Sequence, residues 1–335
     1  MKKLLTALLF LIFAAGCKKD NKTAPVDPPL VPISIAGETL TSQAEVDAFA
    51  EKYKGNSLTI NGDLIISGAT NPNMDISSLK GLSNITTING ALTIIYCPKV
   101  TDLSPFANIT YAGSVFFSGV GATSVTMDKL QSTGGLQLND EQTSISFKSL
   151  RSVTGSLNLL TKNLTEADFS ALTEISGKLS IWGTSLSNLN GFNKLSTVGA
   201  LLLLNNPSLE NLQGLNHLTK LTSPAVVNAS TTPVLYYRLN GIFIQNNAKL
   251  TSLAGLENIS DVPVIYLSNN ALLTDFCPMK AQIKALSALP NFNFTAKPIF
   301  GNGATIKISQ PVATLTGNGG VTSTADAMAI VNACN

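Results

Sequence analysis

The chain has four cysteines and a single histidine, and their settings decide most of the chemistry open to it. Cys17 stands directly after Ala14, Ala15 and Gly16, behind the apolar run LLTALLFLIF and the basic pair Lys2 and Lys3. A charged start, a short apolar stretch and small residues make a secretory signal. A cysteine immediately behind them is placed to receive lipid and become the mature N-terminus. His217, in GLNHLTKL, has no nucleophile in a recognisable motif beside it and reads as a solvated turn residue. No Cys/His group has zinc spacing, and neither a Walker loop nor G-x-G-x-x-G opens a helix. Asp140 and Glu141, in LNDEQT, are adjacent, so their side chains are expected to point apart in a solvated turn. Catalytic, metal and cofactor residues are therefore all expected to be none.

Charge excludes further classes. Only 13% of residues are charged, about half the usual share, and 22 Lys plus Arg nearly balance 20 Asp plus Glu. Such a chain has no field to steer nucleic acid, and none is expected as a partner. Asn, Thr, Ser and Leu fill the space instead. That profile suits short strands joined by polar turns rather than helical bundles.

What positions these residues is a repeat. Gly90, Gly113, Gly135, Gly155, Gly177 and Gly199 recur at spacings of 20 to 23 residues. Each precedes an alternating apolar pair: Leu92/Ile94, Val115/Phe117, Leu136/Leu138, Leu157/Leu159, Leu179/Ile181 and Leu201/Leu203. Alternation at period two means one buried strand face. Leu-x-Gly-Leu turns (Leu79–Leu82, Leu253–Leu256) and further apolar pairs such as Ile85/Ile88 add inward corners. Several corners per turn at a period near 22 describe a solenoid coil. Nine strands are expected, from Leu64/Ile66 to Ile265/Leu267. At about 4.8 Å per rung their sheet would be about 40 Å long.

The predicted organisation is a signal peptide over 1–16, a flexible tether over 17–35, a capping-helix region over 36–56, the solenoid over 57–290 and a C-terminal cap over 291–335. Ser42 and Glu45 supply a capping box, with Val46, Phe49 and Tyr53 as the helix's apolar stripe. TSTADAMAIVNACN reads as a closing helix. Cys97 ends the second strand and Cys277 follows the ninth, about 30 Å away, whereas a disulfide needs Cα atoms within about 7 Å. Cys277–Cys334 is the plausible pair, and Cys97 an inert buried residue.

Outward positions are the candidate site. Trp182, Leu202, Leu204, Phe243 and Tyr266 fall on two outward lanes of neighbouring rungs, interleaved with Asn158, Ser180, Gln245 and Ser268. An apolar, aromatic-bearing lane on an exposed sheet marks an interaction surface for a protein or glycan. The alternative is that 222–240, which roughly doubles one repeat and reads as an insertion on a loop face, folds over it.

The pattern L-x-G-L-x-x-I-x-x-I-x-G-x-L-x-I resembles the receptor L-domain, a leucine-rich-repeat-like solenoid, over about residues 57–275. The resemblance implies a mainly β, right-handed parallel β-solenoid whose sheet faces ligand, and it transfers no particular ligand. Leu-x-Gly-Leu is missing from the third to fifth turns, so irregular rungs are expected there. CKKDN resembles the start of outer-membrane lipoproteins of Bacteroidota, and Lys18 is not the Asp of an inner-membrane retention signal. DFCP with Cys334 resembles the ends of such repeat proteins. The expectation is a lipid-anchored, non-enzymatic surface solenoid, held to the outer membrane by its anchor. The rivals are a carbohydrate-active β-helix enzyme and a purely structural envelope protein.

Overall fold

The computed structural model describes residues 30–69, 75–222, 241–288, 292–296, 306–310, 313–319 and 321–334. The signal peptide, Cys17, the tether up to residue 29 and the insertion after Thr222 lie outside the described residues.

Strands β1 (Val31–Leu40), β2 (Asn56–Ser67), β3 (Ile85–Cys97) and β4 (Tyr111–Val120) pair in parallel in chain order, with helix α1 (Gln43–Lys52) following β1 in sequence. The next turns use short strands in a fixed order: β5 (Ser124–Thr126), β6 (Ser132–Thr133) and β7 (Leu136–Leu138), then β8 (Ser144–Ser146), β9 (Ser152–Val153) and β10 (Leu157–Leu159). After β11 (Glu166–Asp168) come the long β12 (Glu174–Trp182) and β13 (Thr197–Leu204), followed by β14 (Lys220–Leu221), β15 (Ile242–Gln245) and β16 (Ile265–Ser268). The inward residues pair rung upon rung: Leu64, Leu92, Val115, Leu136, Leu157, Leu179, Leu201, Ile242 and Ile265. All of them are buried. The nine rungs expected from alternation are present in the expected register.

The repeating glycine has a steric cause. A Cβ on Gly113 would lie 2.6 Å from the Asn89 carbonyl oxygen, and one on Gly155 2.2 Å from that of Gly134. Stacked backbones approach too closely at this bend for any side chain. In the fourth turn the stacked residue is Gly134, not the Gly135 that the spacing selects; a Cβ on Gly135 would meet nothing closer than 3.7 Å.

The turns lacking Leu-x-Gly-Leu are regular, which corrects the expectation. There β5, β8 and β11 pair in parallel as a second sheet of three strands. Phenylalanine fills the corner behind it: Phe147, Phe169 and Phe192 stack with ring centroids 5.3 and 4.9 Å apart. Strand pairing replaces the 3-10 turn used by Lys80–Leu82 and Asn190–Phe192.

Both ends of the main sheet extend beyond the nine rungs. β1 adds to β2 and starts at Val31, inside the 17–35 stretch, because Ile33 and Ile35 are half-buried against the first rung. Helix α1 lids this end with Val46 and Phe49 buried and Tyr53 edge-on to Phe49. Ser42 Oγ accepts from the Glu45 N–H, while the Glu45 carboxylate accepts from the Thr41 N–H rather than from Ser42. At the other end come α2 (Lys280–Ser287), the antiparallel pair β17 (Phe292–Ala296) and β18 (Ile306–Gln310), β19 (Ala313–Thr316) and α3 (Thr324–Ala333). β19 pairs with β16 as a further rung. Ser323 and Asp326 form a complete capping box on α3.

Cys277 and Cys334 are bonded, with Cα atoms 5.5 Å apart across 57 residues of sequence. This staple joins the last solenoid turn to the end of α3. In the chain-entropy model, closing such a loop contributes up to about 4 kcal/mol. A Cys277→Ser/Cys334→Ser protein should therefore unfold at clearly lower denaturant than the oxidised chain. An unchanged midpoint would mean that the cap is held by packing alone.

Candidate functional site

Register defines two outward lanes on the main sheet. One runs Thr93, Phe116, Gln137, Asn158, Ser180, Leu202, Phe243 and Tyr266, each paired with the next. The other pairs Ile95 with Ser118, and later Trp182 with Leu204, Gln245 and Ser268. Asn139 and Leu160 continue it between, their N–H groups donating to Phe117 and Leu138 of the preceding rungs. No residue in either run is charged.

The five candidate residues are thus brought together, but in two different environments. Leu202 and Phe243 are only 2% and 1% exposed, and with Ala200 and Leu204 they form an apolar cluster separate from the core. Val264 and the half-buried Tyr266 pack against it, the Tyr266 ring stacking on Phe243 at 6.1 Å. Trp182, at the cluster's margin, is 36% exposed. The alternative in which the 222–240 insertion covers the lane falls outside the described residues beyond Thr222. Toward β4 the lane is open: Phe116, Gln137, Asn139, Asn158 and Leu160 are all half-exposed.

A second feature lies just past each strand, on the inner side. Asn206, Asn247, Asn270 and Asn318 are fully buried and stack one per rung. Each Oδ1 accepts the N–H of the ladder residue before it, from Thr184 through Asn206, Asn247 and Asn270, at 3.0–3.1 Å. Each Nδ2 donates to the backbone carbonyl of Ile181, Leu203, Ile244 or Leu267 at 2.8–3.0 Å. The amide oxygen and nitrogen of all four asparagines are thus partnered, as buried polar groups require. Cys97 takes this place on β3, its thiol 3.9 Å from the Ile66 carbonyl oxygen. Burial pushes that thiol's pKa up, which keeps it protonated and unreactive. Apolar alternation does not reveal this ladder; the doubled asparagines at 205–206, 246–247 and 269–270 are its trace in the sequence.

Asp140 begins the same pattern with the wrong atom. Its Oδ1 accepts from the Gly119 N–H, but Oδ2 is buried without a partner, and so is Gln142 Oε1. Burial raises its pKa above the ordinary value, only partly offset by the Gly119 N–H. The protonated form therefore favours the fold. That contribution is complete below the unfolded-state value near 3.8 and is lost as pH rises through the raised folded value. Asp140→Asn supplies a donor in place of the unpaired oxygen. It should raise stability at pH 7 by about 1 kcal/mol and remove this part of the pH dependence. Parallel pH–stability profiles for the two proteins would contradict the assignment.

The remaining sequence candidates do not assemble. Glu141 is exposed and accepts from Asn163, while Asp140 is buried, so the two carboxylates occupy different environments. His217 is exposed in a shallow groove of about 390 Å³ with Asn190, Asn193, Gln213 and Asn216. Among the described residues no three His, Cys, Asp or Glu side chains gather as a metal site, and no helix is long and apolar enough to cross a membrane.

No curated protein and no solved structure matches the chain. The family model of the receptor L domain matches residues 121–255, from the end of β4 to the turn after β15. Over those turns, with their stacked parallel strands and outward lanes, the chain is similar to a receptor L domain.

Proposed function

We propose that this chain is a non-enzymatic ligand-binding solenoid, anchored by lipid at Cys17 and displayed at the surface of the outer membrane. It takes a protein or glycan on the outward face of its main sheet. The observation that carries the reading is the uncharged pair of outward lanes with Trp182 partly open at their centre. Exposed aromatic surface on a sheet is unfavourable in water at about 25 cal/mol per Å², so a surface that retains it has a use for it. Similarity to the receptor L domain, a ligand-binding module, supports the same reading. The charged start, apolar run and small residues before Cys17 support the anchor.

Two experiments test it. The fragment from residue 30 onward and its Trp182→Ala variant are probed against arrayed glycans and against purified envelope proteins. Binding should fall at least tenfold in the variant while its melting temperature stays nearly constant, since Trp182 contacts little of the core. Equal binding by both proteins would move the site elsewhere. For the anchor, Cys17→Ala should release the full chain from membranes into a detergent-free wash, and continued partitioning with membranes would place the attachment at another residue.

A further inference from the structure

The open part of the lanes names a ligand class. Tyr96, at the end of β3, has a left-handed backbone (φ 55°) and is 55% exposed. At the same corner of other turns this conformation is taken by Gly119, Gly183, Asn205, Asn246 and Asn269. Glycine and asparagine adopt it readily, whereas a tyrosine is strained there. Such strain persists where a side chain is needed in that position. The ring lies beside Gly119 on the next rung, where a Cβ would come within 3.8 Å of Tyr96 Cδ1. Tyr96 directly follows Ile95, so it stands at the border of the lane that runs on to Trp182.

Between these two aromatics lie side-chain amides. Gln137, Asn139 and Asn158 occupy the outward positions of β7 and β10 or directly follow them, and Gln137 Nε2 donates to Asn139 Oδ1 at 3.1 Å. From β3 to β12 there are four rung steps, a distance of about 19 Å at 4.8 Å per step. Amides pair a donor with an acceptor and so match vicinal hydroxyls, and flat rings at either end give stacking faces. With no charge in the lane, an acidic or basic partner finds no complement there; the nearest cation in the adjoining lane is Lys178, beside Ala200.

Resting on the reading of the sheet as a ligand face, we propose that this strip between Tyr96 and Trp182 binds a neutral, linear oligosaccharide lying along the solenoid axis. Its span suits roughly four sugar rings. The sugar contacts Trp182 and Tyr96 through ring faces, and Gln137, Asn139 and Asn158 through hydroxyls. The buried cluster at Leu202 and Phe243 takes no part.

The test uses the fragment from residue 30 onward and an array of neutral linear oligosaccharides graded in length from disaccharide to hexasaccharide. Affinity should climb with length to about the tetrasaccharide and then level off, as the strip fills. Tyr96→Ala and Trp182→Ala should each weaken the best ligand at least tenfold, as should a Gln137→Ala/Asn158→Ala double change. Tyr96→Gly serves as the control for backbone relief: it should fold at least as stably as the parent and still lose binding. Capture of a protein ligand that depends on Trp182, with no oligosaccharide bound, would overturn the glycan assignment and leave the sheet as the ligand face. Oligosaccharide binding indifferent to Tyr96 and Trp182 would overturn the strip as the site.

Discussion

Replacing Asn247 with alanine is expected to destabilise the protein by about 3–5 kcal/mol, more than most single changes on this fold. The Asn247 side chain accepts from the Asn206 N–H at 3.0 Å and from Asn206 Nδ2 at 3.2 Å. It donates to the Leu203 carbonyl at 2.9 Å and to Asn270 Oδ1 at 3.0 Å. Removing it strips the buried Asn206 N–H and Leu203 carbonyl of these partners, while Asn206 Nδ2 keeps the Ile181 carbonyl and Asn270 Oδ1 keeps the residue 247 N–H. Each unsatisfied buried group costs about 1–3 kcal/mol, and a cavity adds to it. Sharing among the remaining partners keeps the total below the simple sum. The neighbour Asn246 is the control, since it is exposed and holds a left-handed backbone with φ 57°. Asn246→Ala should cost only about 1 kcal/mol, and Asn246→Gly close to nothing. Urea denaturation of the three variants separates the two roles. Equal losses at 246 and 247 would mean that the ladder is decorative and the turn conformation decides stability.

The second large effect lies at the opposite corner of the coil. Phe169 sits between Phe147 and Phe192 in the ring stack, and all three are fully buried. Phe169→Ala leaves a gap that neighbours on rigid, hydrogen-bonded rungs cannot collapse into, so a loss of about 3–5 kcal/mol is expected. Phe169→Leu, which matches the leucine used at this corner by Leu82 and Leu215, should recover most of it. Because each rung touches mainly its neighbours, the alanine variant should also lower the cooperativity of unfolding, seen as a smaller denaturant slope. An equally sharp transition at the parental midpoint would show that the ring stack contributes little.

How far the sequence was readable follows from what each signal encodes. Alternation such as Leu179/Ile181 reports which side chains face inward, and the stacked register follows from it without further information. The glycine period reports a close backbone approach, which is why only Gly134 or Gly135 could be the stacked residue in the fourth turn, and spacing alone chose the wrong one. The asparagine ladder is hidden because a buried polar corner runs against the apolar rule until its partners on the next rung are known. The rung of β19 reads poorly because its inward pair, Ala313 and Leu315, is short and sits among cap residues. For the candidate site, register places Trp182, Leu202, Leu204, Phe243 and Tyr266 on the outward face, but periodicity carries no information about what lies over that face. Leu202 and Trp182 stand on adjacent rungs and differ from 2% to 36% in exposure. The role of Tyr96 depends on a backbone angle, which no spacing records.

Trp182 is the single tryptophan of the chain, so its emission reports on the outward face alone. Acrylamide quenching of the fragment from residue 30 onward, free and then saturated with the ligand that binds it best, tests the ligand face most directly. The account predicts ready quenching in the free protein, consistent with a third of the side chain exposed, and strong protection with a blue shift once ligand is bound. Unchanged quenching at saturation would show that the ligand sits away from the sheet, and the assignment of this face would be wrong.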